Sequence, residues 1–488
     1  MDHLSNATLP RLPAGVRRPS YDRAAARIGI VHLGVGAFHR AHQAVYTEDA
    51  MDAGDTGWAI AGVSLRSPDT RDALGPQDGL YTVAARSAAG DAFRVIGSLA
   101  QLLVAPEDPE AVLALMAAPE TRIVSLTVTE KGYCHHPATG TLDEAHPDIV
   151  HDLANPTLPR SAVGFLIEAL DRRRRAGHAP FTALSCDNLP ANGETLARVA
   201  TRFAALRDPA LGDWVAAHVA FPSTMVDRIV PATSAADRAF VAETLGLQDA
   251  WPIVTEAFSQ WVIEDHFPAG RPAWDRHGAT LVADVTPFEL TKLRLLNASH
   301  SSMAYLGYLA GHETVADAMA APGFAAFLRT MMDEEITPTL PPLPGFDLEA
   351  YKQSLLDRFR NPSLRHRLYQ IAMDGSQKLP QRLLGAIRDR LAAGQKFDHL
   401  AMGVAAWMRY AAGRDEAGQP IPVQDPLAAT IRDRLAGRTD AAAIHQVGLS
   451  LTEVFGADLP ASTAFVATTR SALDRLMADG AEKVVAGG

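Results

Sequence analysis

Three side chains able to handle a proton and a polarised oxygen stand close together in the run TPFELTKLRLLNASHSSMAYLGY, residues 286–308: Lys292, Asn297 and His300. A lysine can accept a proton, an asparagine can donate to a partly negative oxygen, and a histidine can do either. Oxidation of a secondary alcohol to a ketone needs such a set, with a base on the hydroxyl proton while hydride leaves and donors that hold the oxygen. A lysine serves as that base only when desolvation or neighbouring positive charge draws its pKa from about 10.4 toward neutrality. The same three residues are equally compatible with a solvated helix face.

The element that must position them is a helix. Thr286, Pro287 and Glu289 make a start signal: a capping hydroxyl, a proline at the first helical position and an acid that returns the bond. At about 100° per residue the three polar side chains fall near 0°, 140° and 80°, one arc of a segment otherwise rich in Leu, Met and Tyr.

Upstream, Gly29–Leu33 has the length and apolar character of a strand, and Gly34-Val35-Gly36-Ala37-Phe38 follows it into a helix reaching about Ala53. A strand, a glycine turn and a helix is the unit in which backbone approaches a pyrophosphate closely. His39 stands where a third glycine would complete the fingerprint, so this turn by itself is also compatible with an ordinary connection. A second strand is expected over Trp58–Ser64. The acid that would hold an adenosine ribose is then Asp69, with Arg66 beside it as a competing 2′-phosphate ligand and a plain helix start as the other reading.

Two β-like runs, Leu80–Arg86 and Phe93–Leu99, read as an inserted hairpin, and Arg122–Val128 and Phe181–Cys186 as buried parallel strands. Glu130 and Asn188 lie just past these, where ligands gather in an open parallel sheet. Asp227, after Val219–Phe221, repeats the arrangement and is expected on the same sheet edge. Short polar residues at such places also serve as turn formers. Helices are expected over Pro109–Met116, Ala162–Ala176 and residues 194–217.

Past Thr286 helical periodicity dominates, over Pro322–Glu335, Leu348–Phe359, Ser363–Met373, Gln381–Ala392, Asp398–Ala411, Pro426–Leu435 and Ser462–Met477. The expected organisation is therefore α/β: a Rossmann-type N-terminal domain with an inserted hairpin over 1–285, and a mostly α-helical, substrate-binding C-terminal domain over 286–488.

The chain of 488 residues carries 45 Lys plus Arg against 56 Asp plus Glu, a net charge of −11 spread along the sequence. That balance disfavours nucleic-acid binding. No apolar stretch has the length of a membrane span and the N-terminus lacks a secretory core, which points to the cytoplasm. Cys134 and Cys186 are too few for a disulfide framework. His39 with His42, and His135 with His136, suggest zinc, but no further ligands stand at the usual spacing, so no metal is expected. No apolar stripe demands a partner, and a monomer is expected.

The segments GVGAFHRAHQAVY, IVSLTVTEKGYC, SCDNLPANG, FPSTMVDRIVP, WVIEDHF, KLRLLNASHS and DGSQKLPQR run almost from end to end of the chain. Through them the sequence resembles the polyol-specific long-chain dehydrogenases, the mannitol dehydrogenase family. The resemblance implies a nicotinamide cofactor, NAD by the lean of Asp69, bound at Gly34, Val35, Gly36, Ala37 and Phe38, and chemistry without metal. It implies Lys292 as general base, Asn297 and Asn188 as holders of the reacting oxygen, His300 and Asp227 as orienters of substrate hydroxyls, and Glu130 as a group for proton movement to solvent. Lys378 matches a substrate-contacting lysine. The surrounding NPSLRHRLYQIAMDGSQKLPQRLL, with Gln370 where mannitol enzymes carry arginine and Arg382 where they carry a hydrophobic residue, is similar to the fructuronate reductases of the family. A carboxylate substrate would gain from a second fixed cation, whereas Arg382 could also be a surface helix residue. The expected activity is interconversion of D-mannonate and D-fructuronate; the alternatives are D-mannitol/D-fructose or another polyol and, from a different class, a cofactor-binding sensor without turnover.

Overall fold

The computed structural model describes residues 1–87, 90–136, 139–364 and 366–487. Ala88 and Ala89 of the expected hairpin turn, and Arg365 in the run before Asp374, lie outside the described residues. The chain divides into two compact units, Met1–Thr286 and Pro287–Gly488.

In chain order the strands are β1 (Ile28–Leu33), β2 (Ala59–Ser64), β3 (Tyr81–Ser87), β4 (Gly90–Ile96), β5 (Leu99–Val104), β6 (Ile123–Leu126), β7 (Thr182–Ser185), β8 (Thr224–Asp227), β9 (Ile253–Glu256), β10 (Gln260–Glu264) and β11 (Thr280–Val282). Five of them form a parallel sheet in the order β5-β2-β1-β6-β7. Its central strands are buried on both faces, which is why they read as unbroken apolar runs rather than alternating ones. Val31 and Leu33 pack on one side in a core with Phe165, Leu166 and Leu196. Ile30 and Ile60 pack on the other with Trp58, Trp261 and Trp274. The chain order reverses direction between β1 and β6, the switch point at which open α/β sheets place ligands.

The sequence blurred three features. The run Phe93–Leu99 spans the end of β4 and the first residue of β5: the hairpin β3–β4 pairs with β9 in its own sheet, while β5 returns to the edge of the parallel one. Between them the N–H groups of Gly97 and Ser98 bond the buried carboxylate of Glu48, so no ladder continues there. Second, no strand forms over Val219–Phe221. Asp227 ends β8, which pairs antiparallel with β10 in a separate sheet ordered β11-β10-β8, so Asp227 and Asn188 do not share one sheet edge. Third, the helix after the glycine turn breaks at His42 (φ −122°, ψ −93°) into α1 (Ala37–Ala41) and α2 (Gln43–Asp52).

The second unit is helical among its described residues. Its helix from Thr286 to Leu309 is continuous but changes register: Thr286–Lys292 is α-helical, Leu293–Asn297 is π-helical and Ala298–Leu309 is α-helical again. Thr286 lies inside the helix rather than capping it, and its N–H bonds the Asp284 carboxylate at 2.8 Å. Two further π segments follow: Met331–Ile336, and Pro380–Leu384, which interrupts the helical stretch Gly375–Ala392 where proline has no N–H to give to the carbonyl four residues back. Among the described residues of Ser363–Met373, α-helix covers Leu368–Ala372, less than expected.

Candidate functional site

In the first unit the loops after β1 and β6 are tied together. Gly34 sits at φ +94°, and a Cβ there would lie 2.2 Å from the Thr127 carbonyl oxygen, so both conformation and space require glycine. The Thr127 hydroxyl donates to the Gly34 carbonyl at 2.7 Å. Gly36 differs: its backbone is extended, and a Cβ there would meet nothing nearer than the Gly34 oxygen at 3.8 Å. Internal packing does not demand glycine at Gly36, which leaves an open cradle of the kind a pyrophosphate fills.

His39, in place of the third glycine, stacks on His32 with ring centroids 3.4 Å apart. His32 bonds Ser125 Oγ and Thr127 Oγ1, each at 2.8 Å. Burial pushes its pKa down to about 3, and that of His39 well below its usual value, so both rings are neutral. The pair therefore seats the broken helix on β1. The carbonyls freed at the break are taken up by Tyr81, whose hydroxyl bonds Arg40 O, and by Arg228, whose guanidinium bonds Ala41 O.

The loop carrying Glu130 is held by a residue that sequence reasoning passed over. The buried carboxylate of Asp187 accepts from Val128 N and Thr129 N at 2.9 Å and from the Tyr133 hydroxyl at 2.8 Å. Thr129 has φ +65° and ψ 166°, a conformation that costs a side-chain-bearing residue about 1–3 kcal/mol and that these bonds stabilise. Burial pushes the Asp187 carboxyl above its usual range, against the downward pull of these donors. Asp187 immediately precedes Asn188 after a buried strand, and that adjacency was the available signal. Nearby, Asn192 donates to Asp187 O at 3.0 Å and Thr224 O at 2.9 Å, binding the end of β7 to the start of β8.

Asn188 and Glu130 are exposed on these loops, while Asp227 is buried at the end of β8. Asp69 is the first residue of helix α3 (Asp69–Leu74), exposed, and accepts from Ser67 Oγ at 2.8 Å. It stands on the helix start, not at the end of β2. Among the described residues no group of three or more His, Cys, Asp or Glu could hold a metal ion.

In the second unit Lys292, Asn297 and His300 are all buried. The π turn matters to their arrangement. An i→i+5 ladder brings residue i+5 over residue i, so Asn297 comes closer to the face of Lys292 than the 140° of a regular helix would place it. Asn297 Nδ2 and His300 Nε2 are buried without a hydrogen-bond partner among the described residues. A buried donor or acceptor left so costs about 1–3 kcal/mol, a cost that an arriving ligand removes.

His300 is flanked by Phe359, with ring centroids 4.6 Å apart, and meets His366 edge-on at 5.7 Å. Its pKa is held well below the ordinary value by burial first, then by the neighbouring His366, Arg358, Arg382 and Lys292. Arg382 is partly buried on the π segment Pro380–Leu384 and donates to Ser301 Oγ at 3.1 Å, so it is no surface helix residue. Lys378 Nζ donates to the Ile371 and Met373 carbonyls. Gln370 is exposed. Arg358 and His366 are members of this cluster that the sequence did not single out.

The mannitol dehydrogenase Rossmann domain matches residues 28–276, and the mannitol dehydrogenase C-terminal domain matches residues 284–477. The chain belongs to the mannitol dehydrogenase family. Among its relatives, D-mannonate oxidoreductase of Escherichia coli is 48% identical over 96% of this chain and 98% of its own length. A mannitol 2-dehydrogenase of Pyricularia oryzae is 44% identical over 95% of this chain and 94% of its own. The structure of Pseudomonas fluorescens mannitol 2-dehydrogenase, a ternary complex with NAD and D-mannitol, is 43% identical with a TM-score of 0.90, covering 99% of this chain and 98% of that one. The family resemblance carried by the segments from Gly34 to Arg382 is thus borne out, as is the α/β class with a Rossmann-type N-terminal half and a helical C-terminal half.

Proposed function

We propose that this family member is an NAD-dependent dehydrogenase that interconverts D-mannonate and D-fructuronate. Lys292 Nζ takes the proton from the secondary hydroxyl as the alcohol is oxidised and returns it in ketone reduction. Asn297 and Asn188 donate to the oxygen, which is partly negative during transfer; a well-placed donor contributes about 3 kcal/mol. His300, neutral by burial, and Asp227 orient neighbouring hydroxyls, and Glu130 exchanges the proton with solvent. Bound nicotinamide supplies the hydride acceptor or donor. Gly34, Val35, Gly36, Ala37 and Phe38 would take its pyrophosphate, and Asp69 its adenosine ribose; the open cradle at Gly36 fits that use. The domain roles follow, cofactor on 1–285 and substrate on 286–488.

The observation that carries the choice of substrate is the charge around His300. Beside burial, a second imidazole, His366, and the cations Arg358, Arg382 and Lys292 hold its pKa down. A guanidinium held beside His300, as Arg382 is through Ser301 Oγ, suits a carboxylate better than a neutral polyol. The likeness to the E. coli D-mannonate oxidoreductase supports the same choice. Near-full-length likeness to the Pseudomonas enzyme favours D-mannitol and D-fructose as a second reading. Reduction of D-fructuronate and D-fructose with NADH, compared as kcat/KM, tests the two: fructuronate is expected to be preferred at least about tenfold, a difference of about 1.4 kcal/mol. A preference for fructose overturns the assignment.

We take the protein to act as a cytoplasmic monomer. The buried free thiols Cys134 and Cys186 fit a reducing compartment, and no helix among the described residues is long and apolar enough to cross a membrane.

A further inference from the structure

We propose that His32 is a positioning residue for the cofactor: its Nε2–H, with the Thr127 hydroxyl, holds the Gly34 carbonyl toward the sheet and thereby aims the Val35 N–H at the cofactor's pyrophosphate. The inference rests on the reading of residues 34–38 as the pyrophosphate turn and names a group beneath that turn which the reading does not include.

A fully buried histidine in an otherwise apolar parallel strand needs a purpose, and His32 stands in β1. The geometry gives its ring a definite tautomer. A carbonyl oxygen only accepts, and the Gly34 oxygen is hydrogen-bonded to Nε2 at 3.2 Å, so Nε2 carries the proton. Thr127 Oγ1, 2.8 Å away, accepts from the same N–H while its own hydrogen goes to Gly34 O at 2.7 Å. Burial keeps the ring neutral, so Nδ1 is bare and accepts from the Ser125 hydroxyl at 2.8 Å. Ser125 then has no hydrogen left for Gln43, whose amide end lies 2.8 Å from its Oγ. The amide must donate there, so its nitrogen faces Ser125; the opposite orientation leaves that nitrogen buried with no partner among the described residues. The result is one continuous run of hydrogen bonds, in which Ser125, His32 and Thr127 each accept and donate, ending on a single carbonyl.

That carbonyl governs the turn. Gly34 O also accepts from Gly36 N at 2.7 Å, and Gly34 N donates to Val63 O at 2.9 Å. Among the described residues the Val35 N–H finds no acceptor, although Val35 is buried. Buried N–H groups left so are rare, which marks a place where an acceptor is missing. In a planar trans peptide the Gly34 carbonyl and the Val35 N–H point in opposite directions, so fixing the first fixes the second. The N–H therefore faces away from His32, on a turn where Gly36 leaves room for an approaching group. A pyrophosphate oxygen supplies the acceptor. His39, stacked on His32 with centroids 3.4 Å apart, keeps the ring from turning.

The test is calorimetric titration of the full-length protein with NAD and with adenosine, which has no phosphate. His32→Phe, which keeps a ring against His39 but removes both nitrogens, is expected to weaken NAD binding about tenfold and to leave adenosine binding as in wild type. His32→Gln, whose amide can return an N–H to Gly34 O, is expected to recover most of that loss. Equal weakening of both ligands, or unchanged NAD binding, overturns the proposal. Gly36→Ala separates it from the reading it rests on. If that variant binds NAD like wild type, the pyrophosphate lies elsewhere and both fall; if it binds NAD weakly while His32→Phe does not, the role of His32 alone falls. Nitrogen NMR of the histidine-labelled wild-type protein answers without any variant: His32 is expected to be protonated at Nε2 alone, with and without NAD. A proton on Nδ1 overturns the proposal.

Discussion

The two units hold their candidate residues in different settings. In the first, two buried acids and an asparagine spend hydrogen bonds on backbone: Asp187 on Val128 N and Thr129 N, Glu48 on Gly97 N and Ser98 N, and Asn192 on Asp187 O and Thr224 O. The side chains proposed to meet ligand, Asn188 and Glu130, then stand exposed on loops held rigid from beneath. In the second unit Lys292, Asn297 and His300 are themselves buried on one helix, and Asn297, His300 and His366 keep unpartnered nitrogens among the described residues. Loops need bracing to hold a side chain still, whereas a helix supplies a rigid frame and can leave polar atoms for a ligand.

The comparison can be broken most forcefully at Lys292. Lys292→Ala is expected to lower kcat by about 10²–10⁴-fold, the usual contribution of a general base, with melting little changed. Loss of stability matching the loss of rate would make Lys292 a packing residue.

At Asp187 the expected balance reverses. Asp187→Ala strands two buried N–H groups and a tyrosine hydroxyl, and is expected to cost about 3 kcal/mol in urea unfolding as well as activity. An unchanged unfolding midpoint would show that the loop needs no brace.

The glycine turn separates support from use within one motif. Gly34→Ala is expected to destabilise by about 1–3 kcal/mol, because φ +94° and the Thr127 oxygen both oppose a Cβ. Gly36→Ala is expected to leave unfolding unaltered while weakening NAD binding by titration calorimetry. Equal effects at the two positions would remove the reason for calling Gly36 a cofactor cradle.

The smallest effect sharpens the contrast through pH. Burial holds His32 at about 3 and His366 at about 4 in the folded protein, against about 6.5 when unfolded. The unfolded chain binds the extra protons, so the stability from these groups is present above about pH 6.5 and is lost as pH falls, by about 2 kcal/mol each at pH 5. Glu48 works the other way: its folded pKa of about 7 favours the folded state at pH 5 and loses that contribution as pH rises toward 7. Urea unfolding of Glu48→Gln between pH 7 and 5 is therefore expected to show a steeper loss on acidification than wild type. A parallel curve would mean that Glu48 titrates normally.

Much of this was legible in the sequence. Buried parallel strands announce themselves as apolar runs, and Gly34 through Phe38 followed one directly. Helices such as Ala162–Ala176, Leu348–Phe359 and Asp398–Ala411 lie where periodicity put them. The hairpin's end and the sheet of Asp227 were not legible, because strand pairing is a long-range choice that a short apolar run does not encode. Asp187 was hidden for a related reason, since its three donors come from a loop more than fifty residues away in the chain.

By itself the sequence determined the residue types of the candidate site, the glycine turn and the membership in a family. Only the tertiary structure decided how Lys292, Asn297 and His300 are arranged, because a π turn replaces the regular spacing on which any helical projection depends. It also decided that Phe359 and His366 pack against the His300 ring, for no local pattern ties segments so far apart in the chain to one ring.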